Sequence, residues 1–230
     1  QALTGGGRRP KPGEISLATG GILFLDEFPE FSRAALETLR QPLEEREVTV
    51  SRVEASVTYP ANFQLVAAMN PCPCGHFPDR SRCRCTDGQI TRYLQKVSGP
   101  MLDRIDICVE AAPITYGDIK SSGNNESSRE IRARVEQARK IQRERFAGEN
   151  VRCNGEMSGR HIRKFCGLGR EEEKFMEEIF EKLALSARMH DRILKVARTT
   201  ADLAEEEKIR LADLCEAVSY VKSRDKFWGN

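Results

Sequence analysis

Gly20-Gly21-Ile22-Leu23-Phe24-Leu25-Asp26-Glu27 joins an apolar run to two adjacent carboxylates. Ile22 to Leu25 is a continuous apolar run without alternation, the pattern of a strand buried on both faces of a parallel sheet. Asp26 and Glu27 follow at its carboxyl end, where open α/β sheets place their ligands. Two adjacent carboxylates there suit metal and water chemistry: one to hold Mg²⁺ on the phosphates of a nucleotide, the other to polarise the attacking water. The plainer alternative is that Asp26 and Glu27 only open the next helix, since acidic side chains favour helix N-termini.

Upstream, residues 1–14 carry Gly5-Gly6-Gly7, Pro10 and Pro12 and read as a loop without regular structure. No Gly-x-x-x-x-Gly-Lys-Ser/Thr occurs anywhere in the chain, so the backbone cradle that such a loop builds around phosphates is missing. An acidic pair without that cradle is half an active site, and the chain reads as the later part of a longer protein. Downstream, Ser32 is placed to cap a helix running to about Glu45, with Pro42 predicting a kink or early end. The β-branched stretches 47–52 and 54–59 predict a hairpin with a basic tip at Arg52. Phe63 to Met69 predicts a second buried strand ending in Asn70-Pro71. If that strand neighbours the first, the Asn70 amide lies beside the two carboxylates and can orient a water or touch a phosphate.

Cys72, Cys74, Cys83 and Cys85 form two Cys-x-Cys doublets within 14 residues. Four thiolates so grouped can surround a tetrahedral Zn²⁺, although one-residue spacing is less usual than two. His76 in the spacer is a substitute ligand should one cysteine point away. The competing reading is two reduced, loosely packed doublets. Thr86 predicts a capped helix over 86–97, and Ile107 to Ala112 predicts a third strand. Arg104, flanked by Asp103 and Asp106, reads as a salt-bridged surface arginine. Residues 113–128, rich in Gly, Ser and Asn, read as a linker. Beyond them everything is helical: a helix capped by Ser127-x-x-Glu130 runs to about Phe146, with Gly148 as its stop, and others cover about 158–166, 171–185, 188–204 and 210–223. Glu130/Arg134 and Glu136/Lys140 predict i,i+4 pairs. Arg188, Arg192, Lys195 and Arg198 recur at helical spacing, as in a solvated basic face.

The 230 residues allow one large domain or two ordinary ones. Lys+Arg 37 against Asp+Glu 35 leaves a net charge of only +2, so any nucleic-acid binding must come from local patches. No apolar run approaches the ~20 residues of a membrane span, and no signal peptide opens the chain. Eight cysteines, four of them clustered, fit a reduced compartment better than a disulfide framework. The expected location is cytoplasmic.

Three segments in order carry a family likeness: Gly-Ile-Leu-Phe-Leu-Asp-Glu at 21–27, Ala-Ala-Met-Asn-Pro-Cys-Pro-Cys-Gly at 67–75, and Ser-Gly-Pro-Met-Leu-Asp-Arg-Ile-Asp at 98–106. They resemble the magnesium-chelatase-like AAA+ ATPases, and among these the ComM (YifB) branch, over residues 1 to about 224. The resemblance implies a partial AAA+ (P-loop NTPase-like) α/β core over 1–113, a linker over 114–126 and a helical lid over 127–230. It implies ATP and Mg²⁺ as cofactors, with Asp26 and Glu27 as the Walker B pair, Asn70 as sensor 1, Arg104 as an arginine finger reaching a neighbour's nucleotide, and Arg188 as sensor 2. The hairpin at Arg52 resembles the pore-lining hairpin of related ring helicases, a nucleic-acid-binding position. The implied function is a ring-forming homo-oligomeric motor, a hexamer in the whole protein, acting on DNA in branch migration. A chelatase motor that drives Mg²⁺ into a porphyrin is the alternative, and a non-hydrolysing DNA-binding or scaffold module is the third class. Without Walker A, this chain alone is expected to be inactive.

Overall fold

A computed structural model describes residues 2–7, 10–51, 56–112, 114, 116–120 and 126–228. The first unit comprises Gln1–Ile105 with Phe227–Asn230, and the second Asp106–Lys226.

In the first unit, β1 (Gly5–Gly6) pairs antiparallel with β2 (Lys11–Pro12), so the expected loop carries a short ladder. Glycine makes it possible: a Cβ on Gly5, whose φ is +91°, would lie 2.1 Å from the Lys11 carbonyl oxygen. After α1 (Glu14–Leu17) comes β3 (Ile22–Leu25), then a 3₁₀ turn over Phe28–Glu30. The expected helix to Glu45 is two pieces, α2 (Arg33–Glu37) and α3 (Arg40–Glu45). The break falls at Thr38-Leu39, which places Pro42 in the first turn of α3, where no N–H is required. Ser32 caps α2 as expected, its Oγ accepting from Ala35 N at 3.2 Å. The hairpin is β4 (Glu47–Ser51) against β5 (Ser56–Pro60). Its tip, with Arg52, lies outside the described residues.

β6 (Gln64–Ala67) runs parallel to β3, with Ile22 opposite Gln64 and Leu25 opposite Ala67. The ladder continues past both strands, Ala68 N donating to Leu25 O at 2.9 Å and Phe28 N to Ala68 O at 3.0 Å. Only one face of β3 is buried. Leu23 and Leu25 enter the core with Ile15, Leu36, Leu39 and Met101, whereas Ile22 and Phe24 are 61% and 59% exposed. The apolar run was expected to be covered twice, but among the described residues the parallel sheet has two strands and no layer over its second face. Ile107–Ala112 forms no strand either, and Ile107 and Val109 are exposed. Two helices complete this unit's elements: α4 (Asp87–Leu94), held by a full capping box between Thr86 and Gln89, and α5 (Gly99–Leu102).

The second unit is helical: α6 (Tyr116–Lys120), α7 (Ser128–Arg145), α8 (Gly159–Phe165), α9 (Arg170–Lys182), α10 (Ala187–Leu203) and α11 (Leu211–Trp228), the last two residues of which belong to the first unit. The Ser127/Glu130 capping box forms as predicted. That box takes the Glu130 carboxylate, so Arg134 pairs with Glu126 instead, and among the described residues no ion pair joins Glu136 and Lys140. The supposed basic face of α10 is largely interior: Arg198 is buried and so is Arg192. Asp202, fully buried, explains Arg198. It accepts from Arg198 Nε at 3.1 Å, from Asn154 Nδ2 at 2.8 Å and from Arg145 Nη1 at 2.7 Å. Arg198 also donates to the carbonyls of Glu206 and Glu207 beyond the end of α10. Arg192 pairs with Asp106 at 2.9 Å. Helical spacing alone cannot separate such buried, partnered cations from solvated ones.

Candidate active site and metal centre

Parallel pairing brings the ends of β3 and β6 side by side, so Asp26-Glu27 and Asn70 leave the same end of the sheet. Glu27 adopts φ 50°, ψ 42°, a left-handed conformation that a non-glycine residue holds only when its surroundings impose it. The Asp26 carboxylate accepts the Glu27 backbone N–H at 2.8 Å. Both carboxylates are exposed, and with no layer over that sheet face among the described residues they have room for a hydrated ligand. Asn70 lies against the cysteine turn: a Cβ on Gly75 would come within 3.6 Å of Asn70 Oδ1.

Arg104 is tied to its own unit. Its Nη2 meets Glu44 at 2.7 Å, its Nε donates to the Arg40 carbonyl at 3.3 Å, and its Nη1 donates to the Pro100 carbonyl. Arg188 belongs to the helical unit, exposed in the first turn of α10.

The four clustered cysteines converge. Cys72 Sγ lies 3.4 Å from Cys74 Sγ and 3.8 Å from Cys83 Sγ, Cys74 and Cys83 are 3.6 Å apart, and all four sulfurs fall within 4.8 Å of one another. Four sulfurs tetrahedral about one zinc at about 2.3 Å stand roughly 3.8 Å apart, so the group can hold a metal such as zinc. His76 is not part of it. The thiols titrate unequally: the His76 backbone N–H holds Cys74 down at about 6, and desolvation and then the neighbouring Cys74 push Cys85 up to about 11. Desolvation acts most strongly on Cys72, but the Phe77 N–H, 3.4 Å from its sulfur, is among the donors that leave it lowered.

Tyr93 of α4 escaped the sequence reading, because a buried tyrosine on a helix looks like core. It packs with Cys72, Ile90 and Leu94. Burial raises its hydroxyl pKa first, followed by the negative charges of Glu30, Cys72 and Glu27. Trp228 lies beyond the helix expected to end near 223; α11 runs on to it, and its indole N–H donates to the Leu94 carbonyl at 3.1 Å.

The family model for magnesium chelatase, subunit ChlI, matches residues 1–119, and that for the ChlI C-terminal part matches residues 125–221. The chain belongs to the magnesium chelatase ChlI family. Membership makes it a chain of the AAA+ type, with ATP and Mg²⁺ the ligands such a fold uses. It is similar to competence protein ComM of Haemophilus influenzae, 47% identical over 95% of this chain and 42% of that protein. It is likewise similar to uncharacterized protein YifB of Escherichia coli, 46% identical, and of Salmonella typhimurium, 45% identical, with the same coverage of each. The chain thus spans well under half the length of these relatives. No helix among the described residues is long and apolar enough to cross a membrane.

Proposed function

We propose that this ChlI-family chain is the water-activating and lid portion of a cytoplasmic, ring-forming motor that uses ATP to drive branch migration on DNA. The observation that supports the reading is the side-by-side ending of β3 and β6, from whose shared end the segments bearing Asp26, Glu27 and Asn70 leave. The similarity to a competence protein supports DNA as the object acted on. Asp26 would hold Mg²⁺, which when bound neutralises charge on the phosphates. Glu27 takes the proton of the attacking water, its carboxylate aimed by the left-handed backbone, and Asn70 orients that water. Arg104 serves the nucleotide of a neighbouring subunit in a hexameric ring, and Arg188 follows the nucleotide state from the lid. Cys72, Cys74, Cys83 and Cys85 hold one structural Zn²⁺ that fixes the turn against which Asn70 rests. This chain alone, lacking the phosphate loop, does not hydrolyse ATP.

The description of the family model favours a second reading, a motor for Mg²⁺ insertion into a porphyrin. Parallel strand-exchange and porphyrin-metallation assays on the longer protein separate the two. DNA strand exchange that requires ATP and disappears in Glu27→Gln supports the first. Metallation without strand exchange establishes the second, and turnover unchanged in Glu27→Gln removes Glu27 from the chemistry.

A further inference from the structure

We infer that the outer face of α7 binds the phosphate backbone of duplex DNA, an inference that rests on the DNA-acting reading above. Arg129, Arg132, Arg139, Lys140 and Arg143 fall at helical spacing within about 100° of arc on α7. They extend along roughly 21 Å of helix. All five are exposed, and among the described residues none has a carboxylate partner. Other cations of the helical unit are met by carboxylates: Asp202 takes Arg145 and Arg198, Glu149 takes Arg160 and Lys164, and Asp106 takes Arg192. Glu136 is the single carboxylate within the same arc. The chain has almost no net charge to place, yet it leaves this row of cations unmet on one helix face.

The support beneath that face suits a straight, rigid contact. Ser127 and Glu130 fix the start of α7 by a capping box, and the far end is anchored through Ala138, Gln142 and the Arg145–Asp202 pair. Residues 128–137 stand clear of the core on every side. Ile131 and Val135 add a little exposed apolar area there, 43% and 39% of each. That falls far short of the roughly 800 Å² per partner of a stable protein interface, so charge sets the partner class. Duplex DNA offers one phosphate per ~1.7 Å of axis, and its phosphates accept from guanidinium groups without regard to sequence.

The test is fluorescence anisotropy of a labelled 30-base-pair duplex with the 230-residue chain across a salt series. Five phosphate contacts give a slope of log K on log salt of about −4.5, a roughly 500-fold loss between 50 and 200 mM salt. The fourfold variant R129Q/R132Q/R139Q/R143Q should keep its melting temperature and bring the slope to about −1, while the corresponding four Arg→Lys substitutions should restore most of it. Unchanged binding in the Gln variant moves the DNA site elsewhere and overturns this inference while leaving the motor reading intact. Absence of binding by the parent chain also overturns it, and strand exchange by the longer protein then decides the motor reading separately. Sedimentation covers the competing partner, the acidic helix α9 of a second copy: self-association of the parent chain that the Gln variant loses, with DNA binding unaffected, assigns the stripe to that contact instead.

Discussion

Arg104 has three partners within its own unit: Glu44 and the carbonyls of Arg40 and Pro100. Under the proposed function, acting on a neighbour's nucleotide requires that guanidinium to leave Glu44. In the longer protein Arg104→Ala should lower ATP turnover by about 10³–10⁵ while leaving nucleotide binding largely unchanged. Mixing it with Glu27→Gln should restore part of the activity, because some interfaces then carry both intact groups. No rescue at any mixing ratio would mean that Arg104 acts in cis or only holds α3 and α5 together. The sequence made Arg104 a candidate but pointed to Asp103 and Asp106 as its counter-charges. The real partner comes from α3, and no local spacing foretells a contact made by the tertiary fold. Tyr93 was hidden for a related reason, since its role depends on which charges the fold places around a ring that looks like ordinary core.

Helix starts were legible at three local caps: Ser32, Thr86 and Ser127 each bond the backbone three residues on, so the signal lies within four residues of sequence, whereas Ser98, which caps the single turn of α5 in the same way, was passed over. Strand context was not. Ile22–Leu25 reads the same whether one face is covered or two, and the burial of Arg192 and Arg198 depends on Asp106 and Asp202. The cysteine turn lies between, since spacing named the four residues but only folding brings their sulfurs within 4.8 Å. Protein purified without chelator should carry about one zinc per chain. Cys83→Ser, or chelation of the parent, should remove the metal and lower the melting temperature, because metal binding contributes directly to folding free energy. A metal-free chain of unchanged stability, with four freely titrating thiols in this turn, would rule the site out.

Across the whole molecule, acid should unfold the chain through carboxyls held below their ordinary value. Hydrogen bonds from Ser98 and then Arg40 lower Glu37, the Ser127 hydroxyl lowers Glu130, and Lys164 foremost lowers Glu149. The folded chain binds these protons less readily than the unfolded chain does. The stability they contribute is therefore present above the ordinary carboxylate value of 4.5 and is lost as the pH falls through and below it. The melting temperature should be flat near neutrality and drop below about pH 4.5, and Glu149→Gln should flatten that limb. A parent chain and variant with identical acid limbs would refute the assignment. The uncovered face of β3 and β6 has a different consequence, one for handling. Ile22, Phe24 and Val66 form a water-facing apolar strip on a sheet whose two strands, among the described residues, each keep an open edge. A further strand can add to either side, so copies at high concentration have a route to open-ended stacking rather than to a closed pair. Turbidity on storage in concentrated solution should therefore rise with protein concentration and fall on replacing Phe24 by a polar residue.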